Sequence, residues 1–567
     1  VISGDGRYVA YLTDATNLYE GDTNGFGDIV ATDRVTGETV LLSLSADGGA
    51  VNGWSNQPVL SADGRYVVFE SIASDMVEGD TNDLWDVFIA KGPASGPHLS
   101  IPAVARVQGA GAFFFSRLEV LNSSDEALTA DVVFTPRADL AMQPRTTTLE
   151  LAPRQALSVE DPLAAWFGIG STGAVGSLMF TVTDGRAEAL EAQSVVMARN
   201  ADGTEYGQFF PGDSNGLHAG ETAYLSTTAD PWRMRVNVGA MGLLDGTRLE
   251  LQPVGPIGTP RADAVTIELD AGVSRQLNDV LGPEVFDLEP STDILLEVRV
   301  TAGSALVYAS QLDGTGSAAG TNDPTTVLPV RRGADRVTLL ELGAAQGVNE
   351  FSGSAVITNL SPHDVAVDAD FYLRGEPGVA QVTEITMSAG ETAGYGDFVG
   401  HLFTRSDVGA IVLRARDGGR IAVTGREYSI TRNGHGDVVG TAGQLIPGMT
   451  DDQRLQPHLR YHLLGLRQRQ TAEGLERSHV AAFNPSDHDV EVVLGMFDAA
   501  TGTAEGSFTM TVRAEELVQV NNVLDRIHPG HDDGVKRLEV TVSDPVFVKA
   551  FRVNATGDPV TLDAAVE

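Results

Sequence analysis

The sequence predicts an all-β protein, on three observations. Glycine and proline are dense, 63 and 25 among 567 residues, and such punctuation cuts a chain into short elements. Stretches such as Val490-Glu491-Val492-Val493-Leu494 and Leu538-Glu539-Val540-Thr541-Val542 alternate apolar and polar positions, the period of a strand with one buried face. Two internal repeats run along the chain, and a repeated supersecondary unit buries its apolar face on a neighbour rather than alone. The length exceeds what one core supports and suggests about three to five domains.

The first repeat occupies residues 1–92. Residues 3–11 read SGDGRYVAY and 61–69 read SADGRYVVF; residues 20–30 read EGDTNGFGDIV and 78–88 read EGDTNDLWDVF, all at one offset of 58 residues. Arg7 to Leu12 and Asp28 to Asp33 read as strands, Thr36-Gly37 turns into Thr39 to Leu44, and Gln57 to Leu60 leads into the second copy. Four short strands per unit, joined by Asp-Gly and Thr-Gly turns, form the pattern of a propeller blade. Two blades cannot close a ring, so the segment reads as a partial β-propeller, about two blades at the C-terminal end of a larger repeat protein. On the twice-repeated S-x-D-G-R-Y-V and GDTN motifs, this segment resembles the TolB-like (WD40-like) β-propeller repeats. The resemblance implies radial blades and a secreted or periplasmic setting, and it carries over no catalytic residue.

Residues 93–99, with Pro93, Gly96 and Pro97, read as a linker. A longer repeat follows. Leu121-Asn122-Ser123-Ser124 recurs as Thr358-Asn359-Leu360-Ser361, and Gly207-Gln208 with Pro211-Gly212 recurs as Gly443-Gln444 with Pro447-Gly448. A second set interleaves: Gln276-Leu277-Asn278-Asp279-Val280-Leu281 matches Gln519-Val520-Asn521-Asn522-Val523-Leu524, and Asp323-Pro324 matches Asp558-Pro559. The expected order is A-B-A-B, over residues 100–213, 214–330, 331–448 and 449–567. Seven or so alternating strands in each module, with turn residues every 8 to 12 positions, predict four immunoglobulin-like β-sandwiches. Asp161 to Phe167 is the one expected helical turn. The modules are similar to the tandem Ig-like units of secreted bacterial proteins, which implies a spacer, display or assembly role.

Composition narrows the partners. The formal charge is −39, from 77 acidic and 38 basic residues, and only Lys91, Lys536 and Lys549 are lysines. A nucleic-acid partner needs a concentrated positive surface, so it is excluded. Cysteine is absent, which removes disulfides and thiolate metal sites. No run approaches the roughly 20 apolar residues of a membrane-spanning helix.

Calcium is the one cofactor the sequence suggests. Asp22, Asn24 and Asp28, with their repeats Asp80, Asn82 and Asp86, offer oxygens at i, i+2 and i+6 to a hard cation. No glutamate closes the loop at the twelfth position, and the same residues form self-bonding Asx turns. Gly168-Ile169-Gly170-Ser171-Thr172-Gly173 matches G-x-G-x-x-G but follows a helical turn and precedes a strand, the reverse of a dinucleotide site. His458 and His462 lack the intervening glutamate of a zinc protease and read as surface or interface histidines; His528, His531, Asp532 and Asp533 read as a polar loop. No G-x-S-x-G elbow occurs. Asn122, Asn359 and Asn484, each two residues before a serine, read as turns that cap a strand.

The functional expectation is a non-enzymatic binding or scaffold protein, extracellular, cell-surface or periplasmic in a bacterium. In it a propeller presents a surface to a protein or glycan partner. Two alternatives stand beside it: an accessory part of a secreted peptidase or glycosidase whose catalytic residues lie upstream, and a purely structural spacer.

Overall fold

The computed structural model describes the chain except residues 4–7, 16–17, 19–23, 35–38, 47–48, 62–63, 65, 78, 83, 93–98, 110, 171–172, 214–215, 229, 315–320, 322, 347–349, 473, 556, 563 and 567. It is all-β, built from antiparallel sheets. The longest helix among the described residues, Phe398–Phe403, is six residues, and none is long and apolar enough to cross a membrane. Most of the expected linker lies outside the described residues, and Leu99 already belongs to the strand Leu99–Gln108.

The 58-residue repeat maps one strand pair onto another. Tyr8–Thr13 pairs with Asp28–Asp33, and Tyr66–Ser71 pairs with Asp86–Lys91 in the same register. The first copy has four strands and the second two, and they form two three-stranded sheets rather than four-stranded blades, because the fourth strand of the first copy, Ser55–Leu60, pairs with Tyr66–Ser71 of the second. Tyr8, Ala10, Ile29 and Ala31 of the first sheet pack on Leu60, Val67 and Phe69 of the second. Their counterparts one repeat later are bare: Tyr66, Val68, Val87 and Ile89 are 47%, 38%, 76% and 67% exposed.

From Leu99 onward one chain path is traced four times. In each unit eight strands recur in two orders, fourth-third-sixth-first and fifth-second-seventh-eighth; these are separate sheets in the last three units, whereas in the first unit the first and second strands also pair with each other and join the two into one sheet. In the first unit the eight are Leu99–Gln108, Ala112–Asn122, Leu128–Pro136, Arg145–Leu151, Ala156–Glu160, Ala174–Asp184, Leu190–Asn200 and Glu205–Pro211. The A and B modules of the sequence therefore share a single topology. Alternation explains the cores: Leu128, Ala130, Val132 and Phe134 point inward from one strand and meet Leu118 and Val120 from the facing sheet. The expected helical turn is present as Pro162–Ala165, capped by the Asp161 carboxylate, and two further short helices, Phe398–Phe403 and Val523–Ile527, occupy the same connection in the third and fourth units.

The four units close into a ring. Each lays the outer face of its second sheet on the preceding unit, and the first lays its own on the fourth. Tyr308 of the second joins the core of the first; Phe483, Phe547 and Phe551 of the fourth join that of the third; Phe115, Val195 and Met197 of the first join that of the fourth. The final strands, Glu205–Pro211, Pro324–Val327, Val438–Pro447 and Pro559–Leu562, meet at the centre around a cavity of about 40 Å³. The Gly443 amide donates to Asp323 Oδ2 (2.6 Å) and the Gly207 amide to Asp558 Oδ2 (2.7 Å). Thr326 and Thr561 hydroxyls donate to the Phe209 and Leu445 carbonyls, each at 2.7 Å.

The two central carboxylates are not matched in charge. Asp323 is pushed up to about 7 by burial, against the pull of the Arg426 guanidinium 3.2 Å away. Asp558, at the equivalent place, has no ion pair among the described residues; burial and then the Asp323 charge raise it well above the usual carboxylate range. A carboxyl raised on folding favours the protonated native state, so its contribution is retained at low pH and lost as pH climbs through the folded value. Asp558→Asn, which keeps the acceptor for Gly207, is expected to raise the melting temperature at about pH 8 and leave it unchanged near pH 4. Paired thermal melts of both proteins across that range check it, and an equal shift at both pH values would count against a buried charge.

Candidate binding cleft

Between the first two units the ring leaves a cavity of about 420 Å³. Its floor is the outer face of the second unit's sheet. In the strand Met234–Gly242, Val236, Val238 and Ala240 face the core, so Arg235, Asn237 and Gly239 face out. They pair in register with Leu312, Ser310 and Tyr308 of Ser304–Asp313. Gly239 is required, because a Cβ there would lie 2.1 Å from the Tyr308 ring that crosses it. Phe210 of the first unit meets that ring edge-on with centroids 4.9 Å apart, and burial pushes the Tyr308 phenol up to about 12. Val107, Phe114, Gln208 and Phe210 form the facing wall.

The equivalent interface between the third and fourth units is filled. Leu312 pairs with Pro324 as Val553 pairs with Pro559, so two residues earlier Ser310 corresponds to Phe551. Phe551 packs into the third unit's core beside Phe483 and Phe547, whereas Ser310 leaves the space open. Charge is distinctive as well. In a chain with twice as many acids as bases, the cleft is lined by Arg137, Arg235 and Arg275 and by one carboxylate, Asp279. Arg137 is paired with Asp139 at 2.6 Å, and Arg275 is exposed.

The residues singled out by the sequence lie elsewhere. Asp22 lies outside the described residues. Asn24 turns its amide nitrogen, not its oxygen, toward Asp28 (3.1 Å), while its oxygen accepts from the Phe26 amide (3.0 Å). Asn82 repeats this with Asp86 (3.3 Å) and the Leu84 amide (2.8 Å), and Asp80 accepts from the Asn82 amide (3.4 Å). Among the described residues these loops form Asx turns in which Asn24 and Asn82 donate to Asp28 and Asp86.

The pair is expected at the surface or an interface: His458 is exposed and lines a cleft with Ser124 and Arg186 of the first unit, while His462, in the strand Tyr461–Leu466, is 1% exposed and so is not at the surface. Burial, then the charges of Arg537, Arg154 and Arg460, push it down to about 3, so it is a neutral core histidine. In the C-terminal cluster Asp532, with Asp498 and Glu505, surrounds the Lys536 ammonium at 2.7, 3.5 and 2.8 Å; the lysine supplies the cation these carboxylates call for. Gly168 and Gly173 flank a loop between a helical turn and a strand, as the motif order implied. Asn122, Asn359 and Asn484 are buried strand-end caps whose amide nitrogens each donate to backbone carbonyls across the turn.

Sequence reasoning passed over Arg235, Gln208 and Ser310. The only signal was a positive charge and an amide at the outward positions of a strand whose inward positions are apolar.

No family model and no curated protein matches the chain. Among solved structures, the crystal structure of a Salmonella alpha-2-macroglobulin reacted with methylamine is 11% identical over 100% of this chain and 40% of that one, with a TM-score of 0.12. The chain thus spans less than half the length of that protein, and so low a score carries no argument about fold.

Proposed function

We propose that this chain is a non-enzymatic binding and scaffold protein of the bacterial cell exterior or periplasm. In this reading TolB-like propeller blades are joined to four immunoglobulin-like sandwiches, and the cleft between the first two sandwiches takes part of a protein or glycan partner. One observation carries it: of two equivalent interfaces in the ring, one is packed shut by Phe551 and the other is held open by Ser310. A cavity of about 420 Å³ has the size of a ligand pocket, and its walls belong to different units locked by the ring, so it is preorganised. The propeller element is supported by the bare face of Tyr66, Val68, Val87 and Ile89, whose counterparts pack on a neighbouring sheet. The cellular setting rests on the resemblance of residues 1–92.

The test is Ser310→Phe, which copies the fourth unit's own solution. Peptide and glycan arrays probed with the whole chain are expected to give ligands that this variant loses while its melting temperature stays within a few degrees of the parent. Ligands retained by the variant would move the binding surface away from the cleft, and arrays that stay blank for both would favour a spacer.

A further inference from the structure

Two hydrogen-bond donors in the cleft have no partner among the described residues. No ion pair and no side-chain hydrogen bond reaches Arg235 among the described residues, and its Nε is buried. Across the cavity, Gln208 is 7% exposed and its amide nitrogen Nε2 is likewise buried without a partner. Buried polar groups in folded proteins are almost always satisfied, because removing a donor from water without an acceptor is costly, most of all for a charged group. Both groups here are donors, one is a permanent cation, and they approach the same space from different units. They call for an acceptor that carries negative charge.

The shape of the space limits which one. A small inorganic anion would use the donors but leave most of the cavity empty and the half-buried Phe114 and Val107 of its wall uncovered. A ligand with a flat or apolar body would cover that wall while placing its charged end on the guanidinium fork, whose planar donors match a carboxylate. Asp279 does not supply that charge from within: it is exposed, and Arg235 has no ion pair with it. We infer that the cleft binds an organic carboxylate on an apolar or ring-shaped body, held by Arg235 and Gln208; this rests on the binding role proposed for the same cavity.

Two fluorescent probes of similar shape separate the claims when titrated into the whole chain: anionic 1-anilinonaphthalene-8-sulfonate and uncharged N-phenyl-1-naphthylamine. The anion is expected to bind at one site lost in Ser310→Phe, about tenfold more tightly than the neutral probe. That advantage should shrink with added salt and vanish in Arg235→Met. Gln208→Leu should weaken the anion alone, which covers the case that Arg235→Met misfolds. Competition then identifies the source of the carboxylate: N-acetylphenylalanine stands for a peptide terminus and digalacturonate for an acidic glycan, with N-acetylphenylalaninamide as the uncharged control. Displacement by either acid but not by the amide supports the assignment. Equal binding of both probes, or equal displacement by acid and amide, overturns the carboxylate assignment and leaves the cleft a binding site. Probe binding indifferent to Ser310→Phe overturns the binding site itself.

Discussion

Asp323→Ala is expected to destabilise the chain by about 3–5 kcal/mol at pH 8, the cost of leaving a buried guanidinium without its partner. Arg426 reaches across from the third unit to Asp323 of the second at 3.2 Å, and both are buried. The same carboxylate accepts from the Gly443 amide, so its loss also orphans a backbone donor at the ring centre. Arg426 would retain only the Thr325 and Thr441 hydroxyls and the face of Tyr428, 5.0 Å from its ring centroid. None of these neutralises it. The charge origin of the loss is tested by Asp323→Leu combined with Arg426→Met: removing both partners should recover most of the stability, because an apolar pair has no desolvation penalty. Thermal and urea melts read both variants. A single variant that melts with the parent would mean that the central contact contributes little.

Asn359→Ala is expected to cost about 3 kcal/mol, from several backbone groups losing their partner at once. The Asn359 amide nitrogen donates to the carbonyls of His363 (2.9 Å), Met387 (3.4 Å) and Ser388 (2.9 Å), and its oxygen accepts from the Ser361 amide (2.9 Å). One fully buried side chain thereby ties the end of the second strand to the end of the fourth, in the opposite sheet. Asn359→Asp keeps the shape but presents no donor, so it should be as damaging as alanine. If aspartate were tolerated, the residue would be filling space rather than bonding. The second unit lacks this cap and shows why: Gly242 stands at the same strand end, and a Cβ there would lie 2.5 Å from the Asp270 carbonyl. The turn has moved in until no side chain fits.

Much of this was legible because repeats reveal where strands end. Asn122, Asn359 and Asn484 marked one corner three times, and the alternation through Val490 and Leu538 identified inward positions that the cores confirm. The Gly-Gln and Asp-Pro motifs were visible as recurrent but not as partners. Gly443 and Asp323 are 120 residues apart, and nothing local to either says that an amide of one module will meet a carboxylate of another. Whether His462 would lie at the surface or an interface could not be read from its own strand, because the groups that act on it are Arg537, 3.2 Å from its Nδ1, and Arg154 of the first unit. The cleft was hidden more completely. Ser310 is unremarkable until it is set against Phe551, and that comparison needs the register of two sheets.

Ring closure also bears on how such a chain could arise. Asp323 meeting Gly443 and Asp558 meeting Gly207 are one contact made twice in reciprocal fashion, the signature of an isologous two-fold interface. Each A-B half therefore carries both sides of its own dimer contact, and the whole resembles a homodimer whose subunits have been fused head to tail. Fusion frees the halves to diverge. One half has Phe551 at this position and the other Ser310, a difference that a symmetric dimer could show only at both of its interfaces at once.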